Sequence, residues 1–136
     1  MSSPFDLTGK AGLVTGAAGW LGHATCLTLA KCGASFLVAD RDLERAEATA
    51  AACMEANPKA DVRPQHFEAR ELDSQAAAVQ AMIDAYGRID FLVNGAYFSK
   101  GCPLEDLSPE IFDEALHTNV TSAFTLARSC VDHMPQ

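Results

Sequence analysis

The chain has 136 residues, which we read as a single domain (residues 1–136) long enough to bury roughly two-thirds of its unfolded surface. Its formal net charge of −8 argues against nucleic acid and anionic lipid as partners. No apolar run approaches the ~20 residues of a membrane span, and the N-terminus has no signal-peptide pattern.

Leu13 to Thr15 reads as a first strand: a short apolar run that breaks off into turn residues. Gly16, Gly19 and Gly22 follow at a spacing of three, and a helical segment from His23 to Cys32 closes at Gly33. Strand, glycine turn and helix in that order suit a dinucleotide. One glycine permits a sharp turn, another lets backbone approach a pyrophosphate, and another lets helix and strand pack closely. The helix start then presents its free N–H groups and positive dipole end to the phosphates. Gly16, Gly19, Trp20, Leu21 and Gly22 are therefore candidate cofactor contacts, the bland alternative being a structural turn. The Trp20 side chain reads first as a packing residue capping the helix and second as a ligand contact. A second strand, Phe36 to Asp40, ends in a carboxylate about 20 residues further on, where ribose hydroxyls would donate to it. Asp40 could also be a plain strand-end carboxylate. Arg41 follows directly and could pair with a 2′-phosphate. On Asp40 we expect NAD to be preferred over NADP.

Leu43 to Ala56 reads as a helix stopped by Asn57-Pro58. Val62 to Phe67 is a weaker third strand, and Pro64 inside it places it at a sheet edge. A helix from Ser74 to Tyr86 ends at Gly87, and Ile89 to Asn94 forms a fourth strand. Asn94-Gly95 is either a turn dipeptide or a backbone contact for the cofactor. A last helix begins at Ser108-Pro109-Glu110, an N-cap with proline at the first helical position. It runs towards His133, with a break left open. Strands alternating with helices give an α/β fold, a Rossmann-type three-layer domain with a parallel sheet in the order 3-2-1-4. The ligand crevice falls at the carboxyl ends of strands 1 and 4.

The remaining polar residues carry less. His23, His66, His117 and His133 lack metal-ligand spacing, so no metal is expected and they read as solvated or core-edge. Glu44, Glu47 and Asp84 read as solvated helix faces. The cysteines Cys26, Cys32, Cys53, Cys102 and Cys130 are odd in number and include no Cys-x-x-Cys. We expect reduced, mostly buried thiols of a cytoplasmic protein.

Four blocks in order resemble the short-chain dehydrogenases/reductases. Phe5-Asp6-Leu7-Thr8-Gly9-Lys10 is similar to that family's lead-in, and Thr15-Gly16 through Gly22 to its glycine motif. Asp90-Phe91-Leu92-Val93-Asn94-Gly95-Ala96 resembles the fourth strand with its Asn-Asn-Ala-Gly ending. His117-Thr118-Asn119-Val120 resembles the segment holding the family's catalytic asparagine. The likeness covers nearly the whole chain but about the first half of a typical member. It implies an NAD(P)-dependent oxidoreductase interconverting an alcohol and a carbonyl. It places Asn94, Gly95 and Ala96 at the cofactor, and an acid near adenine at Glu68, followed by Ala69, with Glu71 as the other register. It gives Asn119 a supporting catalytic role.

The departures are specific. Trp20 stands where the classical motif has its second glycine, and the spacing Thr-Gly-x-x-Gly-x-x-Gly looks like the extended branch. The family's serine and Tyr-x-x-x-Lys pair have no match: Tyr86 is followed four residues on by Asp90, and Tyr97 by Gly101. The chain is expected to stop before a fifth strand. The alternative to a reductase portion is a catalytically silent nucleotide-binding or partner-binding module. Homo-oligomeric association is expected through the fourth-strand edge and a last-helix surface of Ile111, Phe112, Leu116, Phe124, Leu126 and Val131.

Overall fold

The first two apolar runs become strands buried on both faces, and alternate side chains serve two different helical layers. The structure, a computed structural model, describes residues 3–136. In chain order it places β1 (Ala11–Thr15), α1 (Trp20–Lys31), β2 (Ser35–Asp40), α2 (Leu43–Ala56), β3 (Val62–His66), α3 (Leu72–Tyr86) and β4 (Phe91–Asn94). A 3₁₀ turn (Leu104–Asp106), α4 (Pro109–Leu116), a π turn (His117–Thr121) and α5 (Ser122–Val131) complete it. The sheet is parallel in the order β3-β2-β1-β4, as the alternation of elements required.

On one face Val14, Phe36 and Val38 pack with Cys26 and Ala30 of α1 and Ala46, Ala50 and Cys53 of α2. On the other, Leu13, Leu37 and Ala39 meet Ala78 and Met82 of α3 and Leu126 and Cys130 of α5. Burial without partner charge raises three thiols: Cys26 to about 12, with Cys53 nearby adding to it, and Cys53 and Cys130 each to about 11. All five cysteines are free, and Cys32 and Cys102 are only half-buried. Two polar pairs fix the α1–α2 seam. His23 Nδ1 lies 3.0 Å from Thr49 Oγ1, and Asn57 Nδ2 donates to the Ala30 carbonyl at 2.8 Å.

β3 is an edge strand, with Arg63, Pro64 and His66 exposed along it. At the opposite edge, the N-terminal end of β4 is anchored by Asp90. Its Oδ2 accepts from the Ala11 N–H at 2.9 Å, and its Oδ1 pairs with Arg88 and, at 3.6 Å, with Lys10. Burial pushes the Asp90 carboxyl up, but the hydrogen bonds from Ala11 and Arg88 and the charges of Arg88 and Lys10 outweigh it, leaving it below the usual carboxylate range.

Several boundaries move. α1 starts at Trp20 rather than His23, because the turn is complete at Gly19 and Gly22 lies inside the helix. α3 starts at Leu72. β4 starts at Phe91, since the Ile89 N–H goes to the His133 carbonyl at 3.2 Å instead of to β1. The last helix is not broken: backbone through Leu116, His117, Thr121 and Ser122 stays right-handed helical, with one π turn inserted. That turn changes the phase of the face. Leu126, expected on the surface, is 1% exposed, whereas Val120 is turned outward. Among the described residues no helix is long and apolar enough to cross a membrane.

Candidate functional site

β1 ends where β4 ends, and Thr15 ties the two. Its Oγ1 accepts from the Gly95 and Ala96 N–H groups at 3.2 and 3.3 Å and donates to the Val93 carbonyl at 3.4 Å. The chain then turns at Gly16 with φ +61°, left-handed backbone that suits glycine. A Cβ at Gly16 would also collide with the Gly95 carbonyl, and one at Gly22 with the Gly16 carbonyl oxygen and, at 2.8 Å, with Ala17 Cα. Gly22 is thus the close-packing glycine between helix and turn. Gly19 is different: a Cβ there would meet only the Gly16 oxygen, at 3.4 Å. Gly19 is the N-cap of α1, with no side-chain cap and no acid in the first turn. The N–H groups and positive end of α1 are left facing an open approach.

Asp40, at the end of β2, closes a ring around the turn. Its Oδ2 accepts from the Ala18 N–H and its Oδ1 from the Asp42 N–H, both at 3.0 Å. The Asp42 side chain caps α2 by accepting from the Arg45 N–H at 3.1 Å, and Arg45 Nη2 donates to the Ala18 carbonyl at 2.7 Å. The backbone of Ala18 is therefore held on both sides of its Cα. Each carboxylate oxygen of Asp40 keeps a lone pair for a further donor.

A cleft of about 720 Å³ opens beside this turn, within the range of small-molecule sites. Its far wall is the β3–α3 loop, where the Glu68 N–H donates to Ser74 Oγ at 2.8 Å and Gln75 Nε2 to the Ala69 carbonyl at 2.7 Å. Ion pairs cross the wall: Arg41 to Glu68 at 3.9 Å and Arg70 to Glu114 of α4 at 3.1 Å.

Asn119 sits in the π turn and exchanges two hydrogen bonds with the Phe98 backbone, accepting at 2.8 Å and donating at 2.9 Å. The loop after β4 is thereby fixed to the helix that follows. Tyr97 is 78% exposed at the cleft. Tyr86 is elsewhere, its hydroxyl donating to the Phe36 and Asp61 carbonyls at 3.0 Å each. Burial, with Asp61 adding to it against Arg63, raises its pKa. It is a structural phenol.

Of the residues picked out by sequence, Gly16, Gly19, Asp40 and Arg41 line the near wall of the cleft, and Glu68, Ala69, Gly95 and Ala96 the remainder. Leu21, Gly22, Asn94 and Asn119 do not line it. Glu71 is instead the N-cap of α3. Trp20 also lies off the lining, and its packing role is corrected: at 95% exposure it covers no core. Sequence reasoning missed Thr15, Arg45, Arg70 and Glu114. Thr15 had a signal in its place before the first glycine, whereas Arg45 and Glu114 reach the cleft only through the tertiary fold.

The profile of the family described as short chain dehydrogenase matches residues 10–136. The 7alpha-hydroxysteroid dehydrogenase of Bacteroides fragilis is 34% identical over 125 residues, covering 90% of this chain and 48% of that protein. A short-chain type dehydrogenase/reductase from Mycobacterium marinum superposes with a TM-score of 0.88 at 27% identity, over 95% of this chain and 51% of that one. A 3-ketoacyl-(acyl-carrier-protein) reductase from Brucella melitensis, solved with NADH, gives 0.83 at 30% identity, over 93% of this chain and 50% of that one. The chain belongs to the short-chain dehydrogenase family, and it spans about half the length of the relatives it matches.

Proposed function

We propose that this short-chain dehydrogenase chain forms the dinucleotide-holding half of an oxidoreductase that interconverts an alcohol and a carbonyl, with NAD preferred over NADP. The observation that carries this reading is the Asp40 ring. A strand-end carboxylate fixes the glycine turn through the Ala18 N–H while the uncapped start of α1 stays open for a pyrophosphate. Trp20, Leu21 and Gly22 would serve through their backbone N–H groups. Asp40 would take ribose hydroxyls with its spare lone pairs, Glu68 and Ala69 would flank adenine, and Asn94, Gly95 and Ala96 would border the path to the reacting end. When bound, the nicotinamide supplies the hydride chemistry. The chain's own residues position it, and Asn119 keeps the loop beyond β4 in register with the helix behind it.

The proton-handling side is not matched in this sequence. Neither tyrosine has a lysine four residues on, and Tyr86 is committed to two backbone carbonyls. The 136-residue chain by itself is therefore expected to bind cofactor and to reduce carbonyls near background, since general acid–base assistance is worth typically 10²–10⁴-fold. The second reading is a catalytically silent nucleotide-binding or partner-binding module. Three buried, free thiols support placing it in the reducing cytoplasm.

Trp20, the single tryptophan, reports on binding. Titration with NADH should quench its emission more readily than NADPH, by roughly tenfold in affinity or 1.4 kcal/mol. Equal or tighter binding of NADPH would sink the preference. NADH oxidation over a panel of aldehydes and ketones separates the two readings. Robust turnover abolished by Tyr97→Phe would overturn the silent module and make Tyr97 the acid.

A further inference from the structure

Two of the three arginines at the cleft have firm partners: Arg45 is spent on the Ala18 carbonyl at 2.7 Å, and Arg70 on Glu114 at 3.1 Å. Arg41 is held loosely, its Nε 3.9 Å from Glu68 Oε1, with side chains 78% and 36% exposed. It is also the residue next to Asp40, and an arginine near that carboxylate is what accommodates a 2′-phosphate. The chain thus carries side by side an acid suited to free hydroxyls and a cation suited to a phosphate. The outcome depends on where the Arg41 guanidinium points.

We propose that Glu68, by drawing Arg41 across the cleft, is a specificity-determining residue that turns this site against a 2′-phosphorylated cofactor. The proposal rests on the dinucleotide reading above and deepens it. Glu68 acts twice: it occupies the guanidinium a phosphate would need, and it adds a negative charge to the wall that phosphate would approach. An exposed pair of this kind is weak and screened by salt, so the device is a bias on the Asp40 preference and not a lock. Glutamine at the same position keeps the length and shape of the side chain and removes the charge. The Glu68 N–H bond to Ser74 belongs to the backbone, so Glu68→Gln leaves the loop anchored.

The test is calorimetric titration of NAD⁺ and NADP⁺ into the 136-residue chain, the Glu68→Gln variant, Arg41→Ser and the double variant, at low and high salt. Glu68→Gln should lower the ratio of NADP⁺ to NAD⁺ dissociation constants about fivefold at low salt, in line with the small worth of exposed pairs, and less at high salt. In the Arg41→Ser background the same change should lose most of its effect, because no guanidinium is left to release. An unchanged ratio in Glu68→Gln, or a full shift persisting without Arg41, overturns the proposal while NAD⁺ still binds. If the unsubstituted protein binds neither nucleotide, the dinucleotide reading itself falls and takes the proposal with it.

Discussion

Asn119 and Phe98 exchange a pair of hydrogen bonds, side-chain amide to backbone peptide, across 21 residues of sequence. The geometry gives the π turn a reason: without the added residue, the helix would present a different side chain to the loop. Replacing Asn119 by alanine leaves the Phe98 N–H and C=O without these partners, at about 1–2 kcal/mol for the two. Urea unfolding should show that loss, and amide exchange at Phe98 should speed up. Asn119→Asp, which keeps only the acceptor, should fall between. Unchanged exchange at Phe98 in the alanine variant would mean that the loop is held by something else.

The three glycines of the turn differ in what they tolerate. Gly22→Ala forces a methyl against the Gly16 carbonyl and should lower stability by about 2–3 kcal/mol, in the range of overpacked sites. Gly19→Ala meets only one oxygen at ordinary contact distance and should melt close to the parent while weakening NADH binding, since its methyl lies over the start of α1. Thermal melts and the Trp20 titration on the two variants check both halves. Equal melting points would show that the turn yields to Gly22 as easily as to Gly19.

Cys26, Cys53 and Cys130 are neutral in the fold well beyond the ordinary thiol range, held there by burial. The sign follows from proton counting. Between the unfolded value of 9.0 and the folded values of about 11 to 12, the native state holds more protons, so stability falls as pH rises. Denaturant midpoints should be flat below pH 9 with respect to these groups and decline above it. At neutral pH, brief alkylation should modify Cys32 and Cys102 and spare the other three, read by peptide mass spectrometry. Early modification of Cys26 would contradict its burial.

Phe112, Leu116, Val120 and Phe124 recur every four residues along α4, the π turn and α5, each 45–62% exposed. An apolar face of this kind is expected to associate. Light scattering at micromolar concentration should give at least a dimer mass, and Phe112→Glu with Phe124→Glu should shift it to the monomer. A parent protein that is monomeric throughout would remove this face as an interface.

The strand order was legible because each apolar run was short, separated by a helix, and because Pro64 could only be an edge residue. The helix starts were less so. Gly22 reads as a turn residue by propensity, yet it sits inside α1, and it is glycine there because the crowding against Gly16 leaves room for nothing larger. The helix expected from Ser74 begins two residues earlier, at Leu72, without a side-chain cap, and the Ser74 hydroxyl accepts from the Glu68 N–H. At the site, the place of Asp40 beside the glycine turn was legible from its spacing and its position at a strand end. Arg45 and Glu114 were not, since nothing local tells which face of a helix will meet a cleft built by strands far away in sequence. Trp20 misled because a large aromatic is expected to cover something, and the first residue of α1 here points outward.

The two edges of the sheet are unequal. Pro64 gives β3 one backbone donor fewer, and Arg63 and His66 set polar side chains beside it, whereas β4 carries Phe91, Leu92 and Val93. A strand lacking a donor and flanked by polar side chains pairs poorly with another strand, so the two edges do not offer the same template. The proline in β3 therefore acts on one edge alone: it leaves that side of the described sheet a poor template for a further strand.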